Sequence, residues 1–567
     1  MNLNIKAKNQ NTYDAIVVGS GISGGWAAKE LTEKGLKTLV LERGYEIKHP
    51  EDYGTAMKAP WEFKYRNKMM SQEALNSTKK LQKRLGYLRE GIADMFVDDT
   101  DNPYQEVKRF DWLRGYHTGG RSIMWGRQSY RLSPMDFEAN AKDGIGVDWP
   151  IRYEDLAPWY DYVEGFAGIS GQKEGLPQLP DGNFLPPMEM NCLEKHVSSK
   201  IRENFDDRIM TIGRVANLTQ AHNGRNQCMY RNLCARGCPY GAYFSSLSST
   251  LPAAAKTGNM TIRHNSIVNS VIYDKEQGKA TGVRVIDAES GEMEEYYAKI
   301  IFLNASTVGS TFILMNSTDE VFPEGLGNTS GTLGHYLMDH HFRTGASGEY
   351  DGFGDQYYSG RRANGIYVPR FRNIKEQRQD YIRGFGYQGG ASRTDWTRGI
   401  AEMGFGDEFK KELTQPGPWR MGLGAFGETL PYFENKMTLD KGNTDKWGQP
   451  TVKFDAEFKE NEKKMRVDMQ EAAAEMLEAA GLKNVRTYDA GSYPGQGIHE
   501  MGTCAMGRDK KTSMLNKNNQ LHEVPNVFVT DGAAMASAGC QNPSLTYMAL
   551  TARAANFAVE ELKKNNI

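Results

Sequence analysis

The sequence predicts an α/β chain built from more than one domain, and three observations support this prediction. Its 567 residues exceed the size at which one hydrophobic core stops growing, so two domains are expected. Residues 13–18 end in the apolar run 15–18 and lead into a glycine-rich turn, which is typical of a buried strand before a helix. Residues 526–530 are read as another strand, which ends at Asp531-Gly532. Ligands of open α/β sheets bind at the carboxyl ends of strands, so a ligand contact is expected there.

The composition excludes several classes of protein. Lys and Arg number 69 against 71 Asp and Glu, which leaves a net charge of -2. No basic field attracts nucleic acid, and the expected substrate is neutral or weakly charged. No apolar run has the length of a transmembrane segment. The first eleven residues lack the apolar region of a secretory signal, so the chain is expected to be soluble and, if exported, to depend on another protein.

A strand, a glycine turn, a helix and a second strand follow one another near the N-terminus. The turn contains Gly19, Gly21 and Gly24, and the second strand ends at Glu42. In such a unit the first glycine permits the turn, the second lets the backbone approach a pyrophosphate and the third lets the helix pack on the strand. The helix N-terminus would face the phosphates, and Glu42 would accept hydrogen bonds from a ribose. These features predict a Rossmann-like dinucleotide-binding domain.

The spacing of the glycines is weak evidence without this context. The same spacing recurs in the segments 384–389 and 422–427, and neither copy lies between a strand of this kind and a helix. The alternative for the first copy is a structural glycine turn. The unit by itself does not distinguish FAD from NAD.

The C-terminal part of the chain contains a second group of motifs. They are the segment 497–507 with His499, then Asp531-Gly532, and then Asn542-Pro543 with Thr546. Together with the N-terminal unit they resemble the glucose–methanol–choline (GMC) flavin oxidoreductases. Further matches, spread from about residue 12 to residue 560, include Gly119-Gly120 with Ser122, Trp125-Gly126, Trp149-Pro150, Asn304-Ala305 and Leu337-Met-Asp339-His340.

The resemblance implies an FAD-binding domain, a substrate domain built on an antiparallel sheet with helices, and a catalytic pair at His499 and Asn542. Hydride removal from a C–H bond requires the adjacent O–H proton to leave, and a neutral imidazole is suited to accept it. Asn542 would hold the hydroxyl oxygen by hydrogen bonding. The residues expected to contact the cofactor are Gly19, Gly21, Gly24, Glu42, Gly119, Gly120, Ser122, Asp531, Gly532, Asn542, Pro543 and Thr546.

The remaining histidines and two cysteines are expected to be structural. The chain has ten histidines, and those other than His499, including His340 and His341, are assigned structural or surface roles. Cys504 and Cys540 are expected to be packing residues, because hydride transfer needs no thiolate.

Three of the six cysteines lie close together in one segment. They are Cys228, Cys234 and Cys238, which is followed by Pro239. The spacing C-x5-C-x3-C-P fits iron–sulfur ligation better than a zinc site completed by His222, because zinc sites prefer C-x-x-C spacings. Unrelated thiols are the other alternative.

The cysteine spacing also resembles that of the catalytic subunits of bacterial FAD-dependent sugar dehydrogenases. This resemblance implies a [3Fe-4S] cluster on Cys228, Cys234 and Cys238, with a four-iron cluster that also uses Cys192 as the alternative. Reduced FAD holds two electrons, whereas a cluster accepts one at a time. The expected enzyme therefore passes electrons singly to an external acceptor and is a dehydrogenase.

Relatives with this cysteine pattern oxidise glucose at its anomeric carbon, gluconate at carbon 2 or glucosides at carbon 3. Overall resemblance favours the 3-hydroxyl of a glucoside, which would give a 3-keto sugar. The alternatives are a glucose or gluconate 2-dehydrogenase and, beyond these, a GMC alcohol or sugar oxidase that uses oxygen. Aromatic residues in the segments 395–398 and 418–420 would suit stacking on sugar faces, although packing explains them equally.

The expected FAD domain is discontinuous and comprises residues 12–48, 110–135, 215–330 and 493–563. Residues 49–109, 136–214 and 331–492 then form the substrate domain, in which the charged segment 50–105 is read as a lid, a partner surface or a solvated helical excursion. The resemblance also implies a small subunit with an export signal and a cytochrome c or similar acceptor. A periplasmic location reached with that partner is therefore a hypothesis, and a cytoplasmic location is its alternative.

Overall fold

The computed structural model describes residues 11–86, 88–357, 363–375, 377–378, 380–394 and 405–567. The expectations that concern residues 1–10 and 395–398 fall outside this range. The strands are β1 (Thr12–Val18), β2 (Thr38–Leu41), β3 (Gln105–Glu106), β4 (Thr211–Ile212), β5 (Met260–Arg263), β6 (Ser266–Asp274), β7 (Lys279–Asp287), β8 (Met293–Leu303), β9 (Thr344–Tyr350), β10 (Ile366–Val368), β11 (Phe385–Arg393), β12 (Trp419–Gly427), β13 (Lys436–Thr444), β14 (Pro450–Asp455), β15 (Lys483–Asp489) and β16 (Val527–Val529). The α-helices are α1 (Ile22–Glu33), α2 (Gln72–Asn76), α3 (Pro134–Asp143), α4 (Tyr153–Ala167), α5 (Cys192–Asn204), α6 (Thr250–Lys256), α7 (Ser306–Asn316), α8 (Gly406–Leu413), α9 (Glu460–Ala479) and α10 (Ser544–Lys563).

The first sheet has seven strands in the order β5-β2-β1-β8-β7-β6, with β16 beside β8. β1 pairs in parallel with β2 and β8, whereas β6 and β7 are antiparallel to their neighbours. The side chains of Ala15 and Val17 join the hydrophobic core beneath α1 and α10, and those of Ile16 and Val18 join the larger core on the other face. The apolar run of β1 is continuous because both faces of the strand are covered.

The second sheet has six antiparallel strands in the order β15-β9-β12-β11-β10-β4. Helix α9 packs Met465, Met469 and Met476 into the hydrophobic core of this sheet, which also contains Trp419 of β12. Of the two explanations given for the aromatic residue of the segment 418–420, stacking on sugar and packing, the structure therefore favours packing for Trp419. Its side chain points to the buried face of the strand and is 2% exposed.

The two further copies of the glycine spacing lie in the neighbouring strands β11 and β12. A Cβ atom on Gly389 would lie 2.0 Å from the carbonyl oxygen of Gly422, so the backbones approach too closely for side chains there. Gly389 therefore permits the close contact between the two strands.

The predicted fold class is confirmed, since a mainly parallel sheet and an antiparallel sheet with helices occur in one chain. The strands of the first sheet fall within residues 12–48, 215–330 and 493–563, and the domain boundaries themselves stay a prediction. The segment 50–105 consists mostly of turns, and its Leu88, Ile92 and Phe96 form a small apolar cluster. Across the described residues, no helix combines the length and the apolar character required to cross a membrane.

Candidate active site

One cavity of about 1110 Å³ extends from the glycine turn after β1 to His499. The carboxyl ends of β1, β2, β8 and β16 all reach it, because parallel strands end at the same edge of a sheet. Of the residues predicted from sequence, those that line it are Gly19, Gly21, Glu42, Gly120, Ser122, His499, Asp531, Gly532 and Asn542. The cavity thus joins the N-terminal and C-terminal motifs in one space.

The geometry of the glycine turn explains each of its three glycines. Gly19 has φ +96°, and a Cβ atom there would lie 2.4 Å from the carbonyl oxygen of Asn304. A Cβ atom on Gly24 would lie 2.0 Å from the carbonyl oxygen of Gly19, so the helix packs directly on the turn. Gly21, by contrast, meets nothing closer than 4.0 Å and faces the cavity.

Glu42 lies at the carboxyl end of β2 and closes the turn. One carboxylate oxygen accepts hydrogen bonds from the backbone N–H of Ser20 at 3.1 Å and from its hydroxyl at 2.5 Å, and the other accepts from Gly44 N–H at 2.9 Å. Burial raises the pKa of Glu42. Ser20 also accepts a hydrogen bond from Gly119 N–H at 2.9 Å, which ties the segment 119–122 to the glycine turn.

Asp531 and Gly532 follow β16 and reach the same cavity. The Asp531 carboxylate accepts hydrogen bonds from the Ser310 hydroxyl at 2.6 Å and from Ala533 N–H at 3.0 Å, and burial raises its pKa to about 6. The described lining includes neither Pro543 nor Thr546. Pro543 instead precedes α10, and the Thr546 hydroxyl lies 2.7 Å from that of Tyr160.

At the histidine end of the cavity, four side chains contact one another in sequence. His499 Nε2 lies 3.3 Å from Asn542 Nδ2, and Gln388 Nε2 donates to Asn542 Oδ1 at 2.5 Å. His499 Nδ1 lies 2.8 Å from His340 Nδ1. Burial lowers the pKa of His499 well below its usual value of 6.5, and His340 and Arg121 add to this effect. A neutral imidazole that faces a cavity can accept a proton.

Two of these residues were missed by sequence reasoning. His340 was assigned a structural or surface role, but the fold brings it against His499. Gln388 lies in β11, in a segment whose only sequence signal was a glycine pattern. The match at Leu337–His340 was the one available pointer to His340. Nothing in the sequence pointed to Gln388.

A buried carboxylate holds the backbone that carries His499. Asp339 Oδ1 accepts hydrogen bonds from His499 N–H at 3.0 Å and His340 N–H at 2.8 Å, and its Oδ2 accepts from Gly497 N–H at 2.8 Å. Between the anchored amides of Gly497 and His499 lies Ile498 with φ +58°, a rare conformation for a β-branched residue. Burial raises the pKa of Asp339 to about 7, with Glu500 adding to the effect. The strained turn is thus held by two hydrogen bonds to one side chain, which also binds the His340 amide.

Aromatic and polar groups share the wall beside His499. The rings of Phe342 and Phe426 stack with centroids 5.3 Å apart, and the ring centroid of Phe426 lies 6.3 Å from that of His499. Asn364 and Gln388 line the same cavity with their amides. An apolar face beside hydrogen-bonding groups is suited to a polyhydroxylated ligand.

The cysteine loop adjoins the same cavity. Cys228, Cys234 and Cys238 are all half-buried, and residues 232, 233, 235 and 236 line the cavity. Burial raises the pKa of Cys228, and the nearby Cys234 and Cys238 contribute to this shift. Across the described residues, no three His, Cys, Asp or Glu side chains form a group ready to hold a metal ion.

The other thiols and His222 lie in different surroundings. Cys504 and Cys540 are buried, and burial raises the pKa of each thiol, as expected for packing residues. Cys192, at the start of α5, packs against the core of the second sheet. His222 Nε2 bonds to the carbonyl oxygen of Gly165 at 2.7 Å.

Comparisons with known proteins identify the family of the chain. Residues 13–342 match the N-terminal model of the GMC oxidoreductases and residues 431–551 match the C-terminal one. The 2-methyl-1,2-propanediol dehydrogenase of Mycolicibacterium austroafricanum is 28% identical over 96% of this chain and 94% of its own. The fructose dehydrogenase large subunit of Gluconobacter japonicus is 23% identical over 97% and 98%.

The fold is also found among solved structures. The crystal structure of pyridoxine 4-oxidase from Mesorbium loti superposes with a TM-score of 0.58 at 16% identity, and the match covers 96% of this chain and 98% of that one. The two family models together cover most of the sequence from residue 13 to residue 551. The chain therefore belongs to the GMC oxidoreductases, a family of FAD-binding enzymes that act on alcohol and sugar hydroxyl groups.

Proposed function

We propose that this protein is an FAD-dependent dehydrogenase that oxidises a sugar hydroxyl. The observation that carries the proposal is the single cavity that joins the glycine turn to the pair formed by His499 and Asn542. One end has the features of a dinucleotide site, and the other has a neutral base beside an amide. A cavity of this size can hold a large cofactor and a small substrate together.

The residues present fit FAD. Within the described residues no side chain caps the N-terminus of α1, so its first N–H groups remain available to a pyrophosphate. Asn304 and Arg43 line the cavity, and their buried Oδ1 and Nε atoms have no hydrogen-bond partner among the described residues. Gly21 leaves the space through which a phosphate group would approach. Bound FAD would supply the hydride acceptor for the reaction.

Side chains of the protein would remove the proton from the substrate hydroxyl. His499 Nε2 is suited to take the proton of the substrate hydroxyl, because burial keeps the imidazole neutral. Asn542, whose own carbonyl is held by Gln388, would orient the hydroxyl oxygen. Phe342 and Phe426 would exclude water from the same side.

The proposed substrate is the 3-hydroxyl of a glucoside. A neutral polyol suits the mixed aromatic and amide wall, and one relative is named a fructose dehydrogenase subunit. The alternatives are oxidation of glucose at its anomeric carbon and of gluconate at carbon 2. Methyl glucoside distinguishes them, since its anomeric carbon is blocked. Formation of a 3-keto product supports the proposal, and no turnover would exclude position 3.

The three thiols of the cysteine loop would hold a [3Fe-4S] cluster, and they have the right number and kind of ligand atoms. Such a cluster accepts electrons singly. The proposed acceptor is an external carrier such as a cytochrome c, with a small subunit as a further partner, because one relative is itself named a large subunit. Export to the periplasm with that subunit is part of the proposal. The competing function is an oxidase, which would release hydrogen peroxide.

The test is His499→Ala in protein purified with its cofactor. The native protein should show flavin absorption that a glucoside bleaches. The variant should retain the flavin spectrum and lose roughly 10²- to 10⁴-fold in the rate of bleaching, the usual contribution of a general base. The variant His264→Ala, at a half-buried histidine outside the cavity lining, serves as a control for loss of an unrelated histidine. A colourless native protein, or undiminished bleaching in His499→Ala, would contradict the proposal.

A further inference from the structure

A chain of hydrogen bonds passes through both histidines of the site. Gln388 Nε2 contacts Asn542 Oδ1 at 2.5 Å, and Asn542 Nδ2 contacts His499 Nε2 at 3.3 Å. The two Nδ1 atoms of His499 and His340 are 2.8 Å apart. His340 Nε2 then lies 2.8 Å from the carbonyl oxygen of Gly539. Each link allows only certain hydrogen positions.

The carbonyl at the end of the chain determines where the hydrogens lie. A carbonyl oxygen only accepts, so His340 Nε2 must carry a hydrogen. Burial lowers the pKa of His340 to about 4, and a neutral imidazole carries a single N–H. His340 Nδ1 is therefore an acceptor. The hydrogen between the two rings must come from His499 Nδ1.

The same reasoning leaves His499 Nε2 without a hydrogen. His499 is also neutral, so a hydrogen on its Nδ1 leaves a lone pair on Nε2. That lone pair accepts from Asn542 Nδ2 and faces the cavity. Gln388 keeps the amide in this orientation by donating to Asn542 Oδ1.

We propose that His340 is a positioning residue, which holds His499 in the tautomer whose Nε2 lone pair faces the substrate hydroxyl. The inference rests on the proposed role of His499 as the base. In the other tautomer an N–H would face the hydroxyl, and the ring could not take its proton there. When Nε2 accepts the proton, His499 Nδ1 keeps its hydrogen bond to His340. The Asn542 Nδ2–H that contacted Nε2 has to release it, because a protonated Nε2 can no longer accept a hydrogen bond.

A matched pair of variants tests the inference. Glutamine at position 340 offers an acceptor oxygen and a donor nitrogen in place of the two ring atoms, whereas leucine offers neither. His340→Leu should lower kcat by roughly 10²-fold or more with little change in KM, since loss of the correct tautomer in a comparable site has a large cost. His340→Gln should recover most of that loss. Equal losses in the two variants would overturn the inference.

A spectroscopic measurement can determine the tautomer in the unsubstituted protein, with a variant used only to assign the signals. ¹⁵N NMR of the protein labelled in its histidine rings, with the His499 signals assigned by their loss in His499→Asn, reports which nitrogen carries the hydrogen. The expected result is a protonated Nδ1 and an unprotonated Nε2. The reverse assignment would overturn the inference, even if His499→Ala abolishes substrate oxidation. Full activity of His499→Ala would instead contradict the proposed function.

Discussion

The histidine end of the cavity and the cysteine loop differ in how far the protein assembles them by itself. At the histidine end, both ring nitrogens of His340 and of His499 have partners, and Asp339 anchors three backbone amides. In the cysteine loop, three half-buried thiols come near one another without forming, among the described residues, a group ready for a metal ion.

The difference follows from the chemistry proposed for each end. Proton removal requires the base to be oriented before the substrate arrives, so the protein supplies that order through its own hydrogen bonds. Thiolate ligands are usually ordered by the metal that they bind, and metal binding contributes to the stability of such segments. Changes at the histidine end should therefore remove substrate oxidation. Changes in the loop should affect only what happens to the electrons afterwards.

The largest effect is expected from Asn542→Ala at the histidine end. Loss of the amide removes the group that orients the hydroxyl oxygen and should lower kcat by roughly 10²- to 10³-fold, the usual cost of losing one such donor. Steady-state kinetics with a two-electron dye provides the measurement. The control is Ser544→Ala, which changes another residue of the cavity wall and should be nearly neutral. Similar rates in both variants would contradict the role given to Asn542.

A smaller and more selective effect is expected from Cys234→Ser in the loop. The variant should lose most of its iron and reduce one-electron acceptors slowly, whereas glucoside-dependent reduction of a two-electron dye should stay near the native rate. Iron analysis and the two dye assays measure these outcomes. Cys192→Ser is the matched control, and iron loss in that variant would favour the four-iron alternative. If both dye activities fall to the same extent, the claim that the loop acts only after substrate oxidation is contradicted.

The smallest expected effect is a shift to lower pH of the point at which kcat/KM begins to fall. Only neutral His499 can accept the proton, and burial lowers its pKa below the usual 6.5. The lowered pKa means that protonation occurs only at lower pH, so kcat/KM should be level through neutral pH and fall only below pH 6.5. A pH profile of kcat/KM with a two-electron dye checks this. A fall that begins above pH 6.5 would show that the imidazole is not held neutral.

The residues that sequence reasoning identified lie in short motifs with a local cause. Gly24 is required because a Cβ atom there would collide with the Gly19 carbonyl oxygen inside the strand–turn–helix unit itself. Gly19 has a positive φ, and a Cβ atom there would also collide with the Asn304 carbonyl oxygen beyond β8. Asp531-Gly532 follows a strand that had to end at the ligand edge of the sheet. Thr546 was expected to contact the cofactor because of the family resemblance alone. Its hydroxyl bonds to Tyr160 instead, and the residue does not line the described cavity.

The sequence left open whether Trp419 packs in the core or stacks on sugar, and the tertiary structure decides between the two. The sequence shows an aromatic residue between proline and arginine, and only the position of β12 over α9 decides that its ring is buried. Gln388, in contrast, had no sequence signal and yet lines the cavity. It lies beside Gly389, which permits a close strand contact, and the sheet happens to place its amide on the cavity wall.

The sequence alone predicted the family, the dinucleotide turn, the base and the three thiols, because each prediction rests on short motifs. The tertiary structure decided which side chains complete the base. His340, Gln388 and Gly539 come from segments far apart in sequence, and hydrogen-bond direction depends on atoms in contact, which spacing along the chain does not specify.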